Sequence, residues 1–287
     1  MSILRVDHLS YTYSPSTPFE HIAVDDVSFS LEKGEFVGII GHTGSGKSTL
    51  VQTLNGLLKP TKGNIYFDGT DIWEKPKEIR RVRFHIGLVF QYPEYQLFEE
   101  TVYKDIAFGP SNMGLSDEEI RERVENAAKF VGLSEALLQK SPFDLSGGEK
   151  RRAAIAGVIA MDPDILILDE PTAGLDPVGR DLLLSQIGAY HRERGNTVLL
   201  VSHSMEDVAA VCDRVLVMNH SKLWDFDTAE RIFTKERELF ELGLRVPQVT
   251  SIVNSLIDAG FPLKKGALTV EEAVESITEY LKREGRL

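Results

Sequence analysis

With 287 residues, 42% of them hydrophobic, the chain can bury a full core and carry one large domain with an appendage, which excludes a tail or a linker. Its formal net charge of −12 repels nucleic-acid phosphates and anionic lipid over most of the surface, so no nucleic-acid partner is expected. The single cysteine, Cys212, cannot close an internal disulfide, and no apolar run approaches the about 20 residues that cross a bilayer. Residues 1–10 also lack the basic lead and apolar run of a secretory signal. The expected location is cytosolic, with any membrane role exercised through a partner.

Residues 3–10 and 27–31 alternate apolar and polar side chains, the period of an antiparallel sheet, and Lys33-Gly34 forms the next turn. Residues 36–40 are a compact apolar run ending in a glycine-rich turn. In the following segment Leu50, Val51, Leu54, Leu57 and Leu58 recur at helical spacing, so the order is strand, loop, helix over 36–58. From about 92 to 160 the character is helical and reads as an insertion in the sheet. There Ser116 and Glu119 form a capping box, Ile120, Val124, Ala127, Ala128 and Val131 share one face, and Gly132 stops the helix. Two apolar runs, 165–168 and 197–201, enclose an amphipathic segment with Leu182, Leu183, Gln186 and Ile187, as suits parallel strands buried on both faces. Beyond Leu242, Pro247 opens a helix through Ile252, Val253, Leu256 and Ile257, which Gly260-Phe261-Pro262 breaks. Thr269 and Glu272 cap a last helix whose Val270, Ala273, Val274, Ile277 and Leu281 form an apolar face suited to dimer contact. The expected division is an α/β domain over 1–241 and a helical appendage over 242–287.

Three segments carry chemistry. Gly41-His42-Thr43-Gly44-Ser45-Gly46-Lys47-Ser48, between a strand and a helix, fits the phosphate-binding loop. Its glycines let backbone N–H groups converge on phosphate oxygens at a helix N-terminus, Lys47 reaches the β- and γ-phosphates, and the Ser48 hydroxyl serves Mg²⁺. Asp169 and Glu170 end the 165–168 run at the sheet edge where α/β ligands bind, placing one carboxylate for Mg²⁺ and one as general base. Taken alone, such an acidic pair is as often a helix start. Ser146-Gly147-Gly148-Glu149 precedes the helical stretch 150–160, a second anion site that by itself would be only a helix cap.

The ordered set of phosphate loop, Gln91, Ser146-Gly147-Gly148, Asp169-Glu170, Ala173-Gly174-Leu175-Asp176 and His203 resembles the ATP-binding-cassette (ABC) ATPases over residues 4–233. That resemblance implies an ABC-type nucleotide-binding domain with a mixed sheet, an N-terminal antiparallel subdomain and a helical insertion. It also implies a head-to-tail dimer, with ATP held between the phosphate loop of one subunit and the Ser-Gly-Gly signature of the other. Tyr13 would stack on adenine, Thr49 would join the ATP-binding residues, and Gln91 would link Mg²⁺ and water to a transmembrane partner. Asp176 would connect the two sites, and His203 would hold the γ-phosphate. Taken singly, Tyr13 reads as a strand aromatic, Gln91 as a solvated amide, Asp176 as a turn former and His203 as a core histidine.

Residues 90–98, Thr101-Val102 and 105–110 resemble more narrowly the ATPase subunits of energy-coupling factor transporters, importers of vitamins and transition-metal ions, and 242–250 supports the same group. The likeness is to the second of two paralogous ATPases, which implies a mixed pair of cassettes, a transmembrane coupling subunit, and small membrane proteins that choose the cargo. This chain would then lie on the cytoplasmic membrane face. The rival classes are a soluble cassette ATPase acting on DNA, ribosomes or cluster assembly, and a scaffold that binds ATP without cleaving it; the latter would be expected to lack Glu170 or His203. Glu149 stands where many cassettes carry glutamine, and its charge costs energy beside a nucleotide unless Lys150, Arg151 or Arg152 compensates. Glu94, Glu99 and Glu100 suggest a carboxylate cluster that could receive arginines of the coupling subunit, or else a solvated acidic face.

Overall fold

A computed structural model describes residues 2–284; Met1 and residues 285–287, at the outer ends of the two expected units, lie outside it. The chain runs β1 (Ser2–Tyr13), β2 (His21–Glu32), β3 (Phe36–Ile40), α1 (Lys47–Leu54), β4 (Lys62–Phe67), β5 (Thr70–Asp71), α2 (Ile79–His85) and β6 (Ile86–Val89). A helical stretch follows: α3 (Val102–Asn112), α4 (Asp117–Phe130), α5 (Glu135–Leu138) and α6 (Gly147–Ile159). It returns to the sheet through β7 (Ile165–Asp169), α7 (Pro177–Arg194), β8 (Thr197–Val201), α8 (Met205–Val211), β9 (Arg214–Asn219) and β10 (Lys222–Thr228). Four helices end the described chain: α9 (Ala229–Phe233), α10 (Glu236–Glu241), α11 (Gln248–Asp258) and α12 (Val270–Arg283).

Two sheets result. The antiparallel one has the order β2-β1-β4-β5, and the mixed one β10-β9-β3-β8-β7-β6, parallel from β9 to β6 with β10 antiparallel at its edge. Strand period two explains why the central runs are apolar at every position. Phe36, Ile40, Leu166 and Leu168 face the core beneath the helical stretch. Val37, Ile39, Ile165 and Ile167 face the second core, shared with α1 and the antiparallel sheet. Each fully buried side chain of this size stabilises by about 1.5–3 kcal/mol. The arrangement bears out the α/β reading with its antiparallel N-terminal part and mixed sheet.

The local signals differ in how far they carry. Ser116 and Glu119 make the full reciprocal capping box of α4, and Ile120, Val124, Ala127 and Ala128 are buried. α1 stops at Leu54 rather than Leu58 because the chain turns at Gly56, whose φ of +72° ends the helix. At α12 the Thr269 hydroxyl accepts from Glu272 N–H at 3.2 Å, but the Glu272 carboxylate bonds Leu268 N–H at 2.7 Å, so the box is not closed on Thr269 itself. Ala273, expected on the outer face of α12, is buried against Val253 and Ala267, while Val270 and Val274 are exposed. Among the described residues no helix is long and apolar enough to cross a membrane.

Candidate functional site

The phosphate loop is built by close backbone approach. A Cβ at Gly46 would run into the Ala23 carbonyl, and one at Gly41 into the Met218 carbonyl and the Ser45 hydroxyl, so only glycine lets the loop nestle against β2 and β9. Gly46 also takes φ +101° to open α1. Lys47, 5% exposed, folds over the loop and donates to the carbonyls of Gly41 at 2.8 Å and His42 at 3.1 Å. Burial lowers its pKa, and the carboxylates of Glu170 and Asp169 counteract that by favouring the charged form.

β7 delivers the acidic pair at its C-terminal end. Asp169 is 4% exposed and its Oδ1 has no hydrogen-bond partner among the described residues. Burial raises its pKa, the Glu170 charge adds to the rise, and a hydrogen bond with Ser48 and the Lys47 charge oppose it. Glu170 turns out of the strand with φ +52°, an uncommon conformation for a residue with a side chain, and its N–H is held by the Val201 carbonyl at 3.0 Å. Its two oxygens take separate partners: Oε2 accepts from Gln91 Nε2 at 2.7 Å, and Oε1 lies 2.8 Å from His203 Nε2. Residues from the start of α1 and from the ends of β6, β7 and β8 thus meet at one edge of the sheet.

A cleft of about 460 Å³ joins these groups, lined by Thr43, Gly44, Gly46, Lys47, Ser48, Thr49, Gln91, Glu170 and His203, with Tyr13, His21 and Ala23 on the antiparallel sheet. Tyr13 is 39% exposed and its hydroxyl sits 3.3 Å from that of Thr49. His21, across the ladder from Tyr13, had no signal in the sequence because β2 begins six residues before the alternating stretch that announced it. The donors suit a polyphosphate and a hard divalent cation: a lysine and helix N-terminus for phosphate, and a buried carboxylate with an unpaired oxygen beside a hydroxyl for the cation.

The cleft lining contains none of Ser146, Gly147, Gly148 or Glu149. They open α6, and Gly148 instead shares a separate cavity of about 280 Å³ with Gly174, Asp176 and Gly179. Asp176 caps α7, its Oδ1 accepting from Gly179 N–H at 2.8 Å. Glu149 is spent locally: its Oε2 accepts the Ser146 N–H at 2.8 Å and the Ser146 hydroxyl at 2.7 Å, which hold its pKa below the ordinary range, helped by the charges of Arg152 and Lys140. Arg151 does not compensate it. That guanidinium is buried, donates to both Glu94 oxygens at 2.9 and 3.1 Å, and also bonds the carbonyls of Pro171 and Ala173. Burial pushes Glu94 up, but the Arg151 hydrogen bonds and charge outweigh it and leave its pKa lowered. Glu94 is therefore taken within the chain, while the exposed Glu100 is paired with Lys104 at 2.6 Å.

A protein-family description, ABC transporter, matches residues 24–173. The energy-coupling factor transporter ATP-binding protein EcfA2 of Caldanaerobacter subterraneus subsp. tengcongensis is 54% identical over 279 residues, covering 97% of this chain and 98% of that protein. The chain belongs to the energy-coupling factor transporter ATP-binding proteins, a family of ABC ATPases. A second member of this ABC family, EcfA2 of Clostridium perfringens, is 52% identical over 280 residues, 97% of this chain and 98% of that protein. Among solved structures, cbiO1 from Clostridium perfringens, part of the ABC transporter complex cbiONQ, superposes with a TM-score of 0.74 at 40% identity, covering 88% of this chain and 99% of that one. The ABC cassette MJ0796, solved as a dimer in a post-hydrolysis state bound to ADP and Pi, gives 0.71 at 28% identity over 79% of this chain and 98% of that one.

Proposed function

We propose that this chain is the ATP-binding and hydrolysing subunit of an energy-coupling factor importer that drives uptake of vitamins or other micronutrients through membrane partners. The observation that carries the proposal is the convergence of Lys47, Ser48, Glu170, Gln91 and His203 on one cleft, with the buried Asp169 hydrogen-bonded to Ser48 behind it, in a chain of this family. ATP binds with its phosphates on the 41–48 loop and adenine against Tyr13. Ser48, Gln91 and Asp169 would hold Mg²⁺. Held by those residues, the ion would supply positive charge that offsets the negative charge of the phosphates.

Glu170 takes the proton of the attacking water. Its carboxylate is already aimed by Gln91 and His203, so the base is oriented before substrate arrives, and the Gln91 bond must open to expose Oε2. His203 Nε2, when it carries the ring proton, donates to Oε1 and stays in place to meet the γ-phosphate. Glu170→Gln keeps shape and removes the base; the expected result is loss of turnover by at least about a hundredfold with ATP still bound, measured by phosphate release and nucleotide binding. Near-normal turnover in that variant would defeat the assignment.

The separation of the signature residues 146–149 from the cleft supports a head-to-tail dimer in which each subunit completes the other's site, with a paralogous cassette favoured as the partner. The contact with a transmembrane coupling subunit is assigned to a groove of about 460 Å³ with Phe84, Leu97, Phe98, Phe108 and Met161 in its lining, where Phe98 and Phe108 are 59% and 49% exposed. Substrate-binding membrane subunits would join through that partner, leaving this chain peripheral on the cytoplasmic membrane face. The appendage expected over 242–287, of which 242–284 are described, would add dimer contact. A tag on this chain should recover a second cassette and multi-span proteins from detergent-solubilised membranes; recovery of soluble proteins or ribosomes alone would overturn the transport role and leave the ATPase role standing.

A further inference from the structure

Asp207 is 1% exposed, lies in the first turn of α8, and is absorbed by none of the roles above. A carboxylate buried this far persists only with full hydrogen bonding and an opposing charge. Here Oδ2 accepts from the Thr172 hydroxyl at 2.8 Å, and Oδ1 accepts from Arg180 Nε. Arg180 Nη2 donates onward to the Ser204 hydroxyl at 2.6 Å, and that same hydroxyl accepts the Asp207 N–H at 3.2 Å, capping α8. The cluster therefore closes a ring of side chains from three segments: the turn after β7, the first turns of α7, and the start of α8.

Each segment carries a residue of the site. Thr172 lies two residues beyond Glu170, and Arg180 N–H is held by the Asp176 carbonyl at 2.9 Å, one turn from the loop assigned to the dimer interface. Ser204 follows His203, whose ring holds Glu170 Oε1. We propose that Asp207 and Arg180 are positioning residues that lock the His203 turn to the loop presenting Glu170 and Asp176, so that a shift of that loop at the dimer interface is transmitted to the base. The opposite side of the same loop is held by Arg151 through the Pro171 and Ala173 carbonyls, so the Asp207 ring ties the loop to the His203 turn beside the direct Glu170–His203 contact.

This rests on the hydrolytic reading of the cleft, so the test runs beside Glu170→Gln. In the intact complex, Arg180→Gln and Asp207→Asn are each expected to lower kcat about tenfold with the KM for ATP and nucleotide binding unchanged, since the phosphate loop is untouched. The double variant should lose no more than either single one, and Arg180→Lys, which keeps the charge, should recover part of the rate. Arg180 is one-third exposed, so its variants remain informative where Asp207→Asn yields too little folded protein. Wild-type kcat in folded Arg180→Gln, or single losses that multiply in the double variant, overturns the proposal while loss in Glu170→Gln keeps the hydrolytic reading. Wild-type turnover in Glu170→Gln overturns both.

Discussion

At Asp169 the chain holds a charge that its buried surroundings do not favour. Its pKa is raised by burial, so this group's contribution to stability is fully present below the ordinary carboxylate value of 3.8 and is lost as pH rises through the higher folded value. Where the side chain is ionised it is a cost to the folded state, which the proposed cation would offset. Asp169→Asn is therefore expected to raise the melting temperature of the nucleotide-free protein, by about 2–4 °C for each 1 kcal/mol relieved, while abolishing Mg²⁺-dependent hydrolysis; a lower melting temperature would contradict the argument. Glu149 makes a related case in the signature. Its carboxylate occupies both donors of Ser146, so in the proposed head-to-tail dimer a phosphate arriving there would have to displace it and meet its charge. A unit charge about 4 Å away in water is worth about 1 kcal/mol, so Glu149→Gln, which keeps a capping oxygen, should lower the KM for ATP of the sandwich dimer about fivefold. An unchanged KM would show that the capped carboxylate does not compete. In the sequence Glu149 stood out as a departure weighed against the basic residues that follow it, whereas its charge is spent chiefly on Ser146, three residues before it in a capping box whose spacing was legible.

Among the elements, β3, α1, β7 and β8 were legible because each is a short apolar run or a helical period beside glycine or carboxylate punctuation. β4, β5, β9 and β10 were not. β10, KLWDFDT, is half-buried on both sides at a sheet edge, so neither alternation nor a continuous apolar run marks it, and β4, KGNIYF, begins with three exposed residues. Ties between elements were also invisible, since Arg151 and Glu94 are 57 residues apart and neither fits a local period. That pair joins α6 to the turn after Gln91. Removing one partner strands a buried charge, so Arg151→Met should cost about 3–5 kcal/mol in denaturant unfolding, and adding Glu94→Leu should recover much of it. Because Glu94 is held below its ordinary range, its contribution is present above the unfolded pKa and lost as pH falls through the folded one. Arg151→Met should accordingly flatten the acid side of the stability profile, and a profile parallel to wild type would mean the pair is energetically silent.

On the scale of the molecule, the last helix raises the question of what covers it. α12 buries Ala273 against α11 and the 263–268 segment, with Phe261 edge-on to Tyr280 at 5.8 Å, yet it leaves Val270 and Val274 63% and 56% exposed. An apolar face that its own unit does not cover fits a contact with a second cassette, and this position beyond the nucleotide fold would let the pair stay joined while the ATP sandwich opens. Val274→Asp tests this without touching either core. Because the side chain is already exposed, the monomer's stability should change by no more than about 0.5 kcal/mol, whereas a charge desolvated in an interface should shift the pair toward monomers. Native mass spectrometry and sedimentation over a range of protein concentrations, with and without ATP, separate the outcomes. Loss of the pair in nucleotide-free protein, with ATP restoring part of it, is expected if the appendage holds the subunits together between turnovers; an unchanged pair in both conditions would remove α12 from the interface.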